Sequence, residues 1–344
     1  MNLKNILKNS FLLFISTFIP LACVELGFYF YGEKFFLWQT NQSWITQLDE
    51  ELVYSLQPNK IGHFKQDEFV EKSRINSFGL RDKEIDKYSK YDKRIIVLGD
   101  SFTYGYGVNN GQTYSDFLES FFFREDGKKI DVVNAGVHGY GTDQEYKLYK
   151  TRLYEKLRHD VLIIGINAND IDDNIGNPLY TIDNNLLKPL DATKTWIYFL
   201  TNVYQKSPGI IKRSYTFNFI LSRLKNKDIF SLLPDLDKKG LIKWSKRKIL
   251  LEIEDLKRMT KKKGIKFVVY TVPMKNTSPN AYDWLIKNKT TFSDSDILFL
   301  DIAKGPVWKE KKSELFFQKD PHLNKNGYFT LGWEIYYGIK GYIN

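Results

Sequence analysis

RIIVLGDSFTYGYG, residues 94–107, joins two kinds of local structure at a single serine. RIIVLG is a short β-branched run without helical period, which suits a strand buried on both faces in a parallel sheet. Gly99, Gly105 and Gly107 then supply the backbone freedom that a tight strand-to-loop bend requires. Ser101 therefore falls where a buried strand ends and a sharp turn begins. Alone, a Gly-Asp-Ser triplet is a common turn; its meaning depends on what else the chain brings to the same edge.

Four more apolar, β-rich runs follow: IDVVNAG (130–136), DVLIIGI (160–166), IKFVVYTVP (265–273) and DILFLDI (296–302). Between them TYSDFLESFFFR, TDQEYKLYKTRLYEKL and SKRKILLEIEDLKRMTKKKG have helical character, the last ending on lysines and a glycine as helices prefer. Strands alternating with helices predict an α/β domain over 93–344, a parallel five-stranded sheet covered on both faces. Residues 177–243 interrupt the alternation with aromatic and aliphatic residues at helical spacing, as in SYTFNFILSRL. They are expected to be a helical insertion packed on the domain, with a lid or acceptor-binding role as the alternative. Residues 35–92 are polar, aromatic-spotted and weakly periodic, and read as a juxtamembrane segment of short strands and turns.

The 344 residues, 42% hydrophobic and 16% aromatic, suffice for one substantial core. A net charge of +10 suits anionic headgroups, glycans or nucleic acid. The lysines are scattered, however, with no arginine-rich run and no nucleic-acid module, so no nucleic-acid partner is expected. The single cysteine, Cys23, excludes an internal disulfide and a cysteine-based metal site. His63, His138, His159 and His322 are too dispersed for a histidine-rich centre. The expectation is a chain that needs neither metal nor cofactor.

Residues 1–34 read as a cytoplasmic stub and membrane anchor. After Lys4 and Lys8, residues 11–31 (FLLFISTFIPLACVELGFYFY) are apolar except for Pro20 and Glu25. A helix of that length reaches about 31 Å, the hydrocarbon thickness. The preceding lysines favour a single pass with the N-terminus inside, which places the rest of the chain in the periplasm or outside the cell. Two other readings export the domain as well: a cleaved signal peptide, and a lipoprotein box in PLAC that would lipidate Cys23.

At the carboxyl ends of parallel strands, where functional loops gather, the chain places GDSFTYG with Ser101, NAGVHGYGTDQ with Gly139, and GINANDIDDN with Asn169. KDPHLNKNGY near the C-terminus holds Asp320 and His322. These residue types suffice for acyl transfer. A serine hydroxyl needs a base to take its proton, the role read for His322, and Asp320 would fix the imidazole tautomer. The N–H groups of Ser101 and Gly139 and the amide of Asn169 would stabilise an oxyanion. Singly, each piece has a plainer reading as a helix cap, a loop or a turn. Asp100 and Asp170 are read as acceptors for loop N–H groups, and Arg81, in FGLRD, as steadying the active-site loops or binding an anionic substrate, with a surface-turn arginine as the plainer reading.

In order and content these blocks resemble those of the SGNH (GDSL-like) hydrolase superfamily. INSFGLRDKE (75–84) and the anchor ending in CVELGFYFYG are similar to segments of membrane-anchored members. The resemblance implies a flavodoxin-like three-layer α/β/α fold, Ser101 as nucleophile, Gly139 and Asn169 in the oxyanion hole and His322 as base. Two departures stand out. Asn167 replaces the glycine of the Gly-x-Asn-Asp block and competes with Asn169, and Lys319 occupies the acid's usual place three residues before His322, leaving Asp320 at minus two.

The expected activity is hydrolysis of an O-acylated glycan or lipid outside the cytoplasmic membrane, through an acyl-serine. A sugar O-acyltransferase fed by a membrane-bound acyltransferase partner is the first alternative. The second is a catalytically silent glycan-binding or assembly protein.

Overall fold

The computed structural model describes residues 3–31, 45–86, 90–212, 214, 216–217, 220, 237–288 and 297–343. Helix α1 (Leu3–Tyr31) carries the apolar run and includes Pro20. Its Lys8–Gly27 stretch, with a mean hydropathy of 1.8, is long and apolar enough to cross a membrane. Glu25, the acid within that run, accepts hydrogen bonds from the Ser214 hydroxyl at 2.9 Å and the Thr216 N–H at 3.0 Å. Two antiparallel hairpins follow, β1 (Thr46–Asp49) with β2 (Val53–Leu56), and β3 (Ile61–Lys65) with β4 (Val70–Arg74).

The alternating part of the chain runs β5 (Lys93–Leu98), α2 (Ser101–Tyr104), α3 (Tyr114–Asp126), β6 (Ile130–Asn134), α4 (Thr142–Leu148), β7 (Val161–Ile166) and α5 (Asp170–Gly176). After it come β8 (Tyr180–Asp183), β9 (Leu186–Pro189), α6 (Trp196–Lys206), α7 (Lys238–Lys262), β10 (Lys266–Thr271), β11 (Ile297–Leu300) and α8 (Lys325–Ile339). Five strands form one parallel sheet in the order β11-β10-β7-β5-β6. This is the doubly wound, flavodoxin-like order, and its switch point lies between β5 and β7.

Both faces of the sheet are covered, which is why its strands are continuously apolar rather than alternating. Ile95 and Val97 point into a core shared with Phe121 and Phe122 of α3 and with Leu331 and Ile335 of α8. Ile96 and Leu98, one residue out of step, enter the opposite core with Ile249 and Ile253 of α7. The first hairpins join this second core through Leu52, Leu56, Phe64 and Phe69.

Three sequence expectations are corrected. The helix expected over 142–157 is α-helical only to Leu148 and continues as a wider π-type turn over Tyr149–Leu153. The interruption expected to be helical over 177–243 opens with the β8–β9 hairpin. Asn184 and Asn185 take positive φ there, 49° and 61°, a two-residue turn matched to strand twist. Its far end also falls early, because α7 begins at Lys238. Most of SYTFNFILSRL lies outside the described residues.

Candidate active site

Strand β5 delivers the chain to the C-terminal edge of the sheet, and Asp100 caps α2 there by accepting the Phe102 N–H at 2.9 Å. The next residue is Ser101, 6% exposed. The turn is held from the side by Asn134, whose amide donates to the Thr103 carbonyl at 2.8 Å. Gly136 follows on the same loop. A Cβ there would lie 2.2 Å from the Tyr104 backbone nitrogen, so only glycine lets the loop after β6 come this close.

His322 arrives from the loop before α8. Its Nε2 is 2.8 Å from Ser101 Oγ and its Nδ1 is 2.6 Å from Asp320 Oδ1. The same Asp320 oxygen accepts the His322 backbone N–H at 2.9 Å. With the Nδ1 proton donated to the carboxylate, Nε2 is left as the acceptor that faces the serine hydroxyl. Burial raises the Asp320 pKa, but the hydrogen bond and charge of His322, its backbone N–H and the charge of His138 outweigh it, and the net shift is downward. Asp320 is thus held ionised.

Gly139 has φ +79°, on a loop whose preceding carbonyl, that of His138, accepts the Tyr54 hydroxyl at 3.0 Å. The His138 ring lies 6.4 Å from that of His322, and Tyr106 packs on both, at 4.9 Å and 4.4 Å. Asn169 reaches the neighbour of Ser101: its Nδ2 donates to Asp100 at 3.1 Å and to Asp173 at 2.7 Å. Both of its amide protons are therefore engaged by carboxylates in the resting arrangement. Asn167 is buried, and its backbone N–H donates to Asp170 at 2.8 Å. Of the two asparagines it is Asn169 that contacts the Ser101 turn, while Asp100 and Asp170 accept loop N–H groups.

The floor beneath is acidic. Burial raises the Asp100 carboxyl, opposed by the Phe102 N–H, the Asn169 amide and the His322 charge. Glu145 and Asp170 are raised well above the usual range by burial and by the charges of neighbouring acids. Glu145 is fully buried, with no hydrogen-bond partner for either carboxyl oxygen.

Arg81 is no surface-turn arginine. It is 1% exposed and donates to the carbonyls of Tyr104 at 2.7 Å, Gly105 at 2.6 Å and Val108. Tyr54, Glu68, Glu71, Tyr106 and His138 also border the site, and none was marked by the sequence pattern. Glu71 and Ser73 of VEKSR are the buried positions of β4, where alternation alone puts polar residues outside. The only signal for that region was the INSFGLRDKE resemblance. His159 is elsewhere, its ring between the Tyr149 hydroxyl at 2.8 Å and the Leu157 carbonyl at 2.7 Å. Among the described residues no cluster of three or more His, Cys, Asp or Glu side chains is placed to hold a metal ion.

A serine, an acceptor imidazole, an ionised carboxylate and loop amides on one sheet edge are equipped for acyl transfer. The family model of GDSL-like lipases and acylhydrolases matches residues 97–328, more than half of the chain. The chain belongs to that family. An uncharacterised protein of Mycoplasma pneumoniae is 28% identical over 160 residues, 42% of this chain and 18% of that protein. The matched part thus spans less than a fifth of that relative's length. Among solved structures it is similar to the psychrotrophic esterase EstA of a Pseudoalteromonas species, 14% identical at a TM-score of 0.43 over 74% of this chain and 100% of that one. It is also similar to the acetylxylan esterase Axe2 of Geobacillus stearothermophilus, 12% identical at a TM-score of 0.43 over 72% of this chain and 94% of that one.

Proposed function

We propose that Ser101 is the nucleophile of a serine esterase that works through an acyl-serine on an O-acylated glycan or lipid at the outer side of the cytoplasmic membrane. The observation that carries the reading is the unbroken line from Ser101 Oγ to His322 Nε2 at 2.8 Å and from His322 Nδ1 to Asp320 Oδ1 at 2.6 Å. In that line His322 takes the serine proton as Oγ attacks the acyl carbonyl, and Asp320 stabilises the imidazolium that results. The Ser101 and Gly139 N–H groups receive the developing oxyanion, joined by the Asn169 amide once it leaves a carboxylate. His322 then protonates the departing alkoxide, leaving the acyl group on Ser101. Water, deprotonated by the same imidazole, attacks that ester; the acid departs and the serine proton is restored.

The location is supported by the Lys8–Gly27 span with Lys4 and Lys8 on its N-terminal side. A net charge of +10 suits a substrate in an anionic envelope. The test is turnover of p-nitrophenyl acetate and of acetylated oligosaccharides by the detergent-solubilised full chain, with labelling by a fluorophosphonate probe. Ser101→Ala and His322→Ala are expected to abolish both signals. Equal turnover and labelling in wild type and Ser101→Ala would end the proposal.

A further inference from the structure

Residues 45–86 precede the part of the chain that the family model matches, yet they touch three of the four loops that build the site, those of Ser101, Gly139 and His322. Tyr54 of β2 donates to the His138 carbonyl at 3.0 Å, beside Gly139. Glu71 of β4 accepts the Gly107 N–H at 2.9 Å, and Arg81 donates to three carbonyls just past Ser101. Glu68, in the β3–β4 turn, takes three successive N–H groups of the acid–base loop: Gln318 at 2.6 Å, Lys319 at 2.7 Å and Asp320 at 2.9 Å. Phe69, its neighbour, packs between Tyr106 and Phe317 at 5.3 Å and 4.8 Å.

The acid–base loop needs such support. Residues 317–322 contain no helix or strand. Their carbonyls at Phe317 and Gln318 accept from the Lys275 ammonium, and their amides at 318–320 donate to Glu68. Opposite charges therefore grip the two sides of one peptide run, and charge-assisted bonds of this kind are stronger than neutral ones. Glu68 is bound to Asp320 itself, two residues from the imidazole it orients.

We propose that residues 45–86 form a brace that holds the Ser101, Gly139 and His322 loops in register, and that Glu68 is its positioning residue for Asp320 and His322. The proposal rests on the serine-esterase reading for its kinetic readout. Releasing the three amides lets the Asp320–His322 pair drift from Ser101, and a misplacement of about 1 Å costs on the order of 100-fold in rate.

The test compares the full-length wild type with Glu68→Ala and Glu68→Gln. The expected result is a 10- to 100-fold lower kcat in Glu68→Ala, a KM within about twofold of wild type, and partial recovery in Glu68→Gln, which keeps one acceptor oxygen. The downfield proton resonance of His322 Nδ1–H, read by NMR without turnover, should shift or broaden in Glu68→Ala. A kcat and a resonance both unchanged in Glu68→Ala, or a loss confined to KM, would overturn the brace. Absence of turnover in wild type would instead defeat the esterase reading, and the resonance would still decide the role of Glu68.

Discussion

Replacing Asp320 by Asn removes one charge and one acceptor at the point where the line from Ser101 ends. The contact is 2.6 Å, with side-chain exposures of 13% for Asp320 and 15% for His322. A carboxylate and an imidazolium with charge centres about 4 Å apart attract by about 4 kcal/mol at an effective dielectric constant of about 20. Partial exposure leaves about 3 kcal/mol of that, which is more than 100-fold in rate. The asparagine amide also favours the tautomer with the proton on Nε2, which can no longer accept from Ser101. The two effects together predict a loss of kcat on the order of 1000-fold, with KM for p-nitrophenyl acetate little changed. Because its pKa is lowered, Asp320 stays ionised down through the ordinary carboxylate range and should add no second proton to the acid limb of kcat/KM there. A loss below 10-fold, or a second proton in that limb, would refute the assignment.

Gly136→Ala places a Cβ 2.2 Å from the Tyr104 nitrogen and 2.6 Å from the Thr103 carbonyl carbon, both backbone atoms of the Ser101 turn. Overpacking of this kind costs about 1–3 kcal/mol, so a lower Tm and a lower kcat are both expected, and an unchanged kcat would show that the turn tolerates displacement. Glu145→Gln tests the acidic floor. The raised Glu145 pKa means that the native state binds more protons than the unfolded chain, so its contribution to stability declines as pH rises from the ordinary carboxylate range through the native value. The amide is neutral at every pH; it should raise Tm more at pH 8 than at pH 5, and an equal shift at both would contradict the buried, protonated carboxyl.

The parallel sheet was legible because a strand buried on both faces has to be apolar at every position, as VLIIGI is over 161–166. The serine–histidine pairing was legible from the order of blocks at the sheet edge. The acid was harder, since Lys319 stands where a carboxylate is usual. The local contacts favour Asp320: one of its oxygens accepts both the backbone N–H and the Nδ1–H of His322, while the Lys319 ammonium goes to Asp67. The brace was illegible for a physical reason. Its buried polar positions include Glu71, Ser73 and Arg81, which bond partners more than 20 residues away in sequence, and hydropathy patterning assigns such residues to solvent.

Ser101 has two carboxylates within one residue's reach, and their opposite shifts divide the labour between them. Asp100 is fully buried, and one of its oxygens is taken by the Phe102 N–H. The other accepts the Asn169 amide at 3.1 Å and lies 3.4 Å from Ser101 Oγ, longer than the 2.8 Å to His322 Nε2. A serine hydroxyl has one proton to give, and the shorter contact takes it. Asp320 bonds to His322 rather than to the serine and is held ionised, so in the proposed mechanism it is a fixed counter-charge that takes no proton itself. Of the three groups only the imidazole both faces Oγ at bonding distance and has a free lone pair there to change its protonation. Environments that push neighbouring titratable groups apart mark their roles, and in the proposed mechanism they make His322 the proton carrier and Asp320 its counter-ion, with Asp100 the cap that fixes the turn.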